Sequence, residues 1–385
     1  MPDTNYSKEF LRRLKIRLPE MLWTLRRLVL AESPSLEKTP SDRCCGLLAA
    51  EWRKRGVQVE RIAQKHRGDQ LRLTWWPQKS RPAGQYFILG HYDTVYSSGT
   101  LAKMPFRVSR GKAYGPGIFD MKAGIVQALY ALEALQMARV PLTHRLVFLW
   151  TSDEEIGSDC SRKLIETEAR RSDAVFVLEP SFGPTGLLKT ARKGVGEAEL
   201  IVHGRASHAG LAPREGINAI HELARQLVRM ESWNDARHGV SVNADIIEGG
   251  TRVNVIAERA KAVLDLRALR VADMRRLESR LRALRPILPG ARLEIHGGFN
   301  RVPLERKSSA ALFNKAKSLA AQMGLSLGEC TAGGGSDGNL TAAVGTPTLD
   351  GLGAVGHGAH SRNEHILIHT LPARAALLAA LLLAQ

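Results

Sequence analysis

Three apolar runs, each ending in an acidic or imidazole side chain, constrain this chain more than any other feature. Gln85-Tyr-Phe-Ile-Leu-Gly90 runs into His91, Arg145-Leu-Val-Phe-Leu-Trp150 into Thr151-Ser-Asp-Glu-Glu155, and Ala174-Val-Phe-Val-Leu178 into Glu179. Short apolar runs bounded by polar turns fit strands buried on both faces. Between the first two, Ile125, Leu129, Leu132 and Leu135 recur at helical spacing, and a further helix leads to the third. This β-α-β-α-β rhythm predicts an α/β fold: a mostly parallel mixed sheet with helices on its faces and functional side chains at the carboxyl ends of its strands.

At 385 residues the chain is long for one domain. From residue 194 the rhythm changes. Strand patterns at 197–203, 240–247, 260–269 and 291–296 alternate with helical patterns at 217–230 and 272–284, in the order β-α-β-β-α-β. That is the split arrangement of a ferredoxin-like module. The expected organisation is a catalytic domain over 1–193, an inserted α+β module over 194–302, and a return to the first domain over 303–385. Upstream, periodicity over 6–32 predicts a helix ending at Glu32-Ser-Pro34, and Ser41 or Asp42 is positioned to cap a second one reaching Arg55-Gly56. The apolar stretch Ala375–Ala384 is about half the length of a membrane span and predicts a packed C-terminal helix.

The chemistry concentrates at the strand ends. His91 and Asp93 stand at i and i+2, so in extended backbone the carboxylate can orient the imidazole; a capped turn is the competing reading. Glu154 and Glu155 diverge if extended, which lets one bind a metal while the other holds a proton; a solvated loop is the alternative. Glu179, ahead of Pro180, needs a metal or an arginine if buried. Gly356-His-Gly-Ala-His-Ser361 offers His360, with His357 and His365 as competitors. Asp120 sits in the glycine turn Gly115–Gly124, alone a structural cap, but in this company the acid that two ions would share. Imidazole and carboxylate without thiolate suits Zn2+, and also Co2+ or Mn2+.

The formal charge of +17 comes from 55 basic against 38 acidic residues, without a run of five basic residues or a basic segment interleaved with aromatics. Nucleic acid is therefore not the indicated partner; an Arg-rich surface, or a field that draws anionic small substrates, is. The four cysteines have no CxxC spacing, and Lys8, Glu9, Arg12 and Arg13 precede no apolar core of signal length, so reduced thiols in a cytoplasmic protein are expected, with no membrane partner. Gly333-Gly-Gly-Ser-Asp-Gly338 lacks the Lys-Ser/Thr ending of a phosphate loop, and no nucleophile elbow is expected. Its backbone amides can hold a carboxylate.

Taken together, Gly90-His-Tyr-Asp-Thr-Val-Tyr96, Tyr114-Gly-Pro-Gly-Ile-Phe-Asp-Met-Lys122, Thr151-Ser-Asp-Glu-Glu-Ile-Gly157, Glu179-Pro180, Ala206-Ser-His-Ala-Gly210 and Gly333-Gly-Gly-Ser-Asp337 resemble the M20 family of dinuclear zinc peptidases. Within it the likeness is greatest to the bacterial glutamate carboxypeptidases of the carboxypeptidase G2 type, from about residue 85 onwards. The resemblance implies two divalent metal ions, with His91 and Glu179 on one, Glu155 and His360 on the other, and Asp120 between them. It implies Glu154 as general base, Asp93 as the partner of His91, and His208 as a group that polarises the substrate carbonyl. Asn254 and Arg267, with Gly334, Gly335 and Ser336, would contact a small peptide or N-acyl amino acid. The inserted module would serve as lid and homodimer interface. The implied reaction releases a C-terminal amino acid, with glutamate favoured and N-acyl amino acid deacylation as the alternative. Met121 stands where the carboxypeptidase G2 type has a second Asp, and Lys122 is followed by Ala-Gly where many relatives have Gly-Gly.

Overall fold

The computed structural model describes residues 6–384, so the first five residues of the expected 1–193 segment and the last residue of the chain lie outside it. The chain divides into two compact units. One holds the residues up to Thr190, Arg306–Thr331 and those from Ser336 on; the other holds Ala191–Glu305 and Ala332–Gly335.

The first unit is built on a six-stranded mixed sheet. Its order is Gln58–Ile62, Gln70–Trp75, His144–Thr151, Gly84–His91, Ala174–Val177, Thr348–Leu349. The last four strands are mutually parallel and the first two join antiparallel. The apolar runs are continuous because both faces are covered. Tyr86, Ile88, Leu146, Phe148 and Phe176 enter one core, while Phe87, Leu89, Val147, Leu149, Val175 and Val177 enter the other. Alternate residues of one strand thus meet helices on opposite sides. Helices Ala123–Ala138 and Leu371–Leu383 pack against one another and fill the larger core, where nearly every side chain of both is buried. The second is the expected C-terminal helix. Among the described residues no helix is long and apolar enough to cross a membrane.

Two N-terminal expectations need correction. The periodic stretch 6–32 forms two helices, Tyr6–Ile16 and Leu18–Leu30, because the chain breaks at Arg17 and restarts with Pro19 in the first turn, where a missing N–H costs nothing. The next helix begins at Lys38, so Ser41 and Asp42 lie inside its first turns and cap nothing. Ser41 Oγ donates to Pro34 O, and Asp42 accepts from the amide of Asp69.

A small antiparallel sheet matters most for the site. Strands Gly356–His357 and His365–Leu367 form a hairpin that pairs with Lys112–Tyr114, and that strand with Arg107–Ser109. The hairpin loop carries His360, and Tyr114 leads directly into the Asp120 turn.

The second unit has four antiparallel strands in the order Ser241–Gly249, Arg259–Ala268, Gly194–His203, Arg292–Arg301. With helices Ala219–Glu231 and Val271–Arg282 this is the ferredoxin-like arrangement. Leu200, Val202, Ala262, Leu264 and Leu266 point into its core with Leu223, Leu277 and Leu281, which leaves Lys261, Asp265 and Arg267 on the opposite sheet face.

Candidate metal centre

All five side chains expected as ligands belong to the first unit, and they converge. His91 ends its strand with Nε2 at 3.2 Å from Asp120 Oδ1 and 3.4 Å from Glu179 Oε1. His360 Nε2 lies 3.0 Å from Glu155 Oε2 and 3.6 Å from Asp120 Oδ2. Each oxygen of Asp120 therefore faces a different imidazole. The result is two triads, His91–Asp120–Glu179 and Asp120–Glu155–His360, within each of which the potential ligand atoms lie within 4.8 Å of one another. The choice of His360 over its competitors is geometric: His357 and His365 face each other across the hairpin, with ring centroids 6.5 Å apart, and belong to neither triad.

Local sequence explains how Asp120 gets there. Gly117 adopts a left-handed φ of 65°, and a Cβ there would collide with the Thr94 methyl. Asp120 itself has φ −115° and ψ 94°, outside helical values, before the helix begins at Ala123. Gly90 leaves room for Met121, whose Sδ lies 3.3 Å from the amide of His91; a Cβ on Gly90 would stand 2.6 Å from Met121 Cε. Lys122 is buried, and its ammonium donates to Leu28 O and Ala31 O at the end of the second helix.

Asp93 does more than orient one imidazole. Fully buried, its carboxylate lies 3.4 Å from His91 Nδ1, accepts from Ser35 Oγ at 2.7 Å, and accepts from the amides of Glu154 and Glu155 at 3.3 Å each. Its backbone carbonyl is also 3.1 Å from His91 Nδ1. The acidic pair is not extended as expected: Glu154–Ile156 is a 3₁₀ turn. Neighbouring side chains still diverge, by the roughly 120° per residue of such a turn, so Glu155 joins a triad and Glu154 does not. For Glu179, where a metal or an arginine is the expectation, the neighbouring cation is an ammonium, Lys189 Nζ at 3.9 Å.

The electrostatics follow from four carboxylates packed around two imidazoles. Burial opposes charge on His91, yet Asp120, Asp93 and Glu179 outweigh it and push its pKa well above the ordinary imidazole value. Asp120 and Glu155 lift His360 to about 10. Burial raises Glu155 above the usual carboxylate range, whereas His360 and His91 hold Asp120 well below it against the same burial. The donor set fits divalent metal ions, since clustered nitrogen and carboxylate ligands gain from dications what here falls to bound protons.

Of the expected substrate contacts, only Ser336 belongs to the first unit. His208, Asn254, Arg267, Gly334 and Gly335 belong to the second unit. There His208 and Asn254 are neighbours, through the bridge of His208 with Val255 and the amide of Ala209 donating to Asn254 O. Nδ1 of His208 accepts from the amides of Gly210 and Leu211, which places the proton of the neutral ring on Nε2. Arg267 is held by Asp265, with Nη2 at 2.7 Å from Oδ2. The carbonyls of Gly334 and Gly335 accept from buried Arg192. Ser336 is a correction. Although Gly334–Gly338 spells Gly-x-Ser-x-Gly, its hydroxyl is fully buried, donates to Asp350 Oδ2 at 2.6 Å and caps the helix Asp337–Ala343, so it offers nothing to a ligand or a nucleophilic mechanism.

Sequence reasoning missed Ser35, Lys189 and Glu364. Glu364 is fully buried beneath the Asp120 turn, and burial lifts it to about 7 against the hydrogen bonds it accepts there. No periodicity or motif spacing marks these three.

Comparison with known proteins agrees with this geometry. The model of peptidase family M20/M25/M40 matches residues 87–384. Carboxypeptidase G2 of Pseudomonas sp. (strain RS-16) is 32% identical over 374 residues, covering 95% of this chain and 89% of the relative. Succinyl-diaminopimelate desuccinylase of Halorhodospira halophila (strain DSM 244 / SL1) is 28% identical over 370 residues, covering 90% and 94%. Among solved structures, aminopeptidase PepT from Bacillus cereus ATCC 10987 matches with a TM-score of 0.80 at 21% identity, covering 95% of this chain and 98% of that one. The YXEP protein of Bacillus subtilis, a dinuclear metal binding peptidase from the M20 family, matches with a TM-score of 0.72 at 15% identity, covering 96% and 98%. The two structural matches speak for the fold; the family model and the 32% relative, each spanning most of the chain, make it a hydrolase of peptidase family M20/M25/M40.

Proposed function

We propose that this enzyme hydrolyses an amide bond in a small peptide or N-acyl amino acid with the help of two divalent metal ions, zinc in the first instance, and releases a C-terminal amino acid, glutamate being favoured. One observation carries the reading: the two oxygens of Asp120 face separate imidazole–carboxylate triads. Two ions a few ångströms apart need such a shared acid, and the N/O donor set suits Zn2+ while admitting Co2+ or Mn2+. When bound, such a pair would supply Lewis acidity, lowering the pKa of a water and polarising the scissile carbonyl.

The protein's own residues divide the remaining work. Glu154 belongs to neither triad, and its amide is held by Asp93. It is the proposed general base, taking the proton of the attacking water and returning it to the leaving amine. Asp93 fixes the tautomer of His91. His208, with its proton on Nε2, is the proposed donor to the carbonyl oxygen. Asn254 and the amides of Gly334 and Gly335 are proposed contacts, and Arg267 is the proposed anchor for the leaving amino acid's carboxylate, a role suited to a guanidinium whose orientation Asp265 already fixes.

The inserted module, expected over 194–302, is the proposed lid and homodimer interface. In support, Ser241–Gly249 is an edge strand exposed over seven successive residues, Ile246 and Ile247 among them, and a second copy would pair with such an edge. All four cysteines are free, in keeping with a reducing cytoplasm.

The desuccinylase relative favours a second reading, N-acyl amino acid deacylation by the same chemistry. Metal analysis and one panel of N-acyl and N-aminoacyl amino acids test both. Two ions per chain with preferred turnover of C-terminal glutamate support the first reading, and preference for simple acyl groups supports the second. Failure to load two ions, or no hydrolysis across the panel, would sink the dinuclear hydrolase.

A further inference from the structure

Glu364 lies four residues after His360 and belongs to neither triad. Its two oxygens accept from three backbone amides of the turn that carries Asp120: Gly117 N on Oε2 at 3.0 Å, and Phe119 N and Asp120 N on Oε1 at 2.8 and 3.0 Å. The main chain adds Gly115 N donating to Glu364 O. On its own side, the amide of Glu364 donates to Ser361 O and that of Ser361 to Gly358 O, closing a tight turn around His360, whose φ is 59°. Tyr96 reinforces that turn by donating its hydroxyl to Ser361 O at 3.0 Å. A single carboxylate therefore fastens the loop bearing His360 to the loop bearing Asp120.

We propose that Glu364 is a positioning residue for Asp120, holding the backbone of residue 120 so that its two carboxylate oxygens point apart, one toward His91 and one toward His360. The amides of 117, 119 and 120 sit where the chain leaves regular geometry, and buried amides require partners. Glu364 supplies the acceptor for all three, one of them the amide of the shared acid itself. Because Asp120 serves both triads, an error in its orientation is felt at both, whereas an error in His360 alone would be felt at one. This role rests on the dinuclear reading.

The test measures both zinc dissociation constants by chelator competition in the wild type and in Glu364→Gln, with circular dichroism as the control for folding. The glutamine replaces one acceptor oxygen with an NH2 group facing an amide N–H. Both constants are expected to weaken together, by roughly 10–100-fold, the range for loss of a group that orients a ligand. At saturating zinc, kcat should fall while KM holds. Two ions bound at wild-type constants, weakening confined to one ion, or a change in KM alone would each overturn the proposal. Should Glu364→Gln fail to fold, Glu364→Asp takes its place, since a carboxylate drawn back by one methylene cannot reach all three amides. The same paired weakening is expected, and unchanged constants overturn the role. A wild-type chain that takes up fewer than two ions overturns the dinuclear reading and this role with it, a result distinct from two ions bound equally well in both proteins.

Discussion

Stripping the metals should leave the centre holding two extra protons, and reloading should expel them. In the metal-free chain Asp120 and Glu155 lift His360 to about 10. His91 also stands well above its ordinary value, because Asp120, Asp93 and Glu179 overcome the burial that opposes its charge. These shifts favour the charged form of both rings, and both must be neutral to bind a metal through nitrogen. Two zinc ions therefore displace about two protons, and the product of the two binding constants should climb about 100-fold per pH unit, tenfold for each proton. The assay is isothermal titration calorimetry of chelator-stripped enzyme in buffers of different ionisation enthalpy, whose slope counts protons. His360→Gln should lower the count by about one. The same shifts fix the sign for stability. A raised imidazole contributes fully below its unfolded value and loses that contribution as pH rises through the folded one, here about 10 for His360. Stripped enzyme should thus weaken toward alkaline pH while loaded enzyme does not, modestly for His360, whose partial exposure screens it. A proton count near zero, or one that His360→Gln leaves unchanged, would refute this account of the centre.

Three further outcomes are expected. Glu154→Gln should cut kcat by roughly 10²–10⁴-fold with two ions still bound; loss of an ion would make Glu154 a ligand instead of the base. Arg267→Ala should raise KM for substrates with a C-terminal carboxylate by roughly 10–100-fold, the value of a charge-assisted hydrogen bond pair, and much less for amidated analogues; an equal effect on both removes the anchor. Ile247→Lys places a charge on the exposed edge strand and should yield monomers in sedimentation velocity, while an undiminished dimer would move the interface elsewhere.

Much of the fold could be read from the chain because it is local and two-sided. The run from Tyr86 to Leu89 is apolar throughout since Phe87 and Leu89 enter one core and Ile88 the other, and the same holds for Val147 against Phe148. A cap inferred from residue type alone misplaces the start of the helix that begins at Lys38. Ser41 and Asp42 have cap chemistry, but their side chains are committed to Pro34 O and the amide of Asp69, contacts that no local pattern encodes. At the site, each strand-end acid could be nominated singly. Their convergence on Asp120 could be proposed too, but not its route, the pairing of strand Lys112–Tyr114 with His365–Leu367 that brings Asp120 and His360 together.

The same contrast separates ligands from the groups that hold them. Three of the expected ligands, His91, Glu155 and Glu179, stand at or just after the ends of sheet strands, where backbone geometry presents them. Their supports lie at sequence distances set by tertiary packing: Ser35 reaches Asp93 across 58 residues and Glu364 reaches Asp120 across 244. Asp93 illustrates the consequence. Because one carboxylate touches the His91 ring and both amides of the Glu154–Glu155 turn, the proposed base and the proposed ligand are held by a common part. Glu364 does the equivalent for Asp120 and the His360 loop. Two buried carboxylates that bind no metal in this reading thus set the relative positions of the groups that do, and only Asp93, two residues from His91, is marked by its spacing; Glu364 is reached through tertiary packing alone.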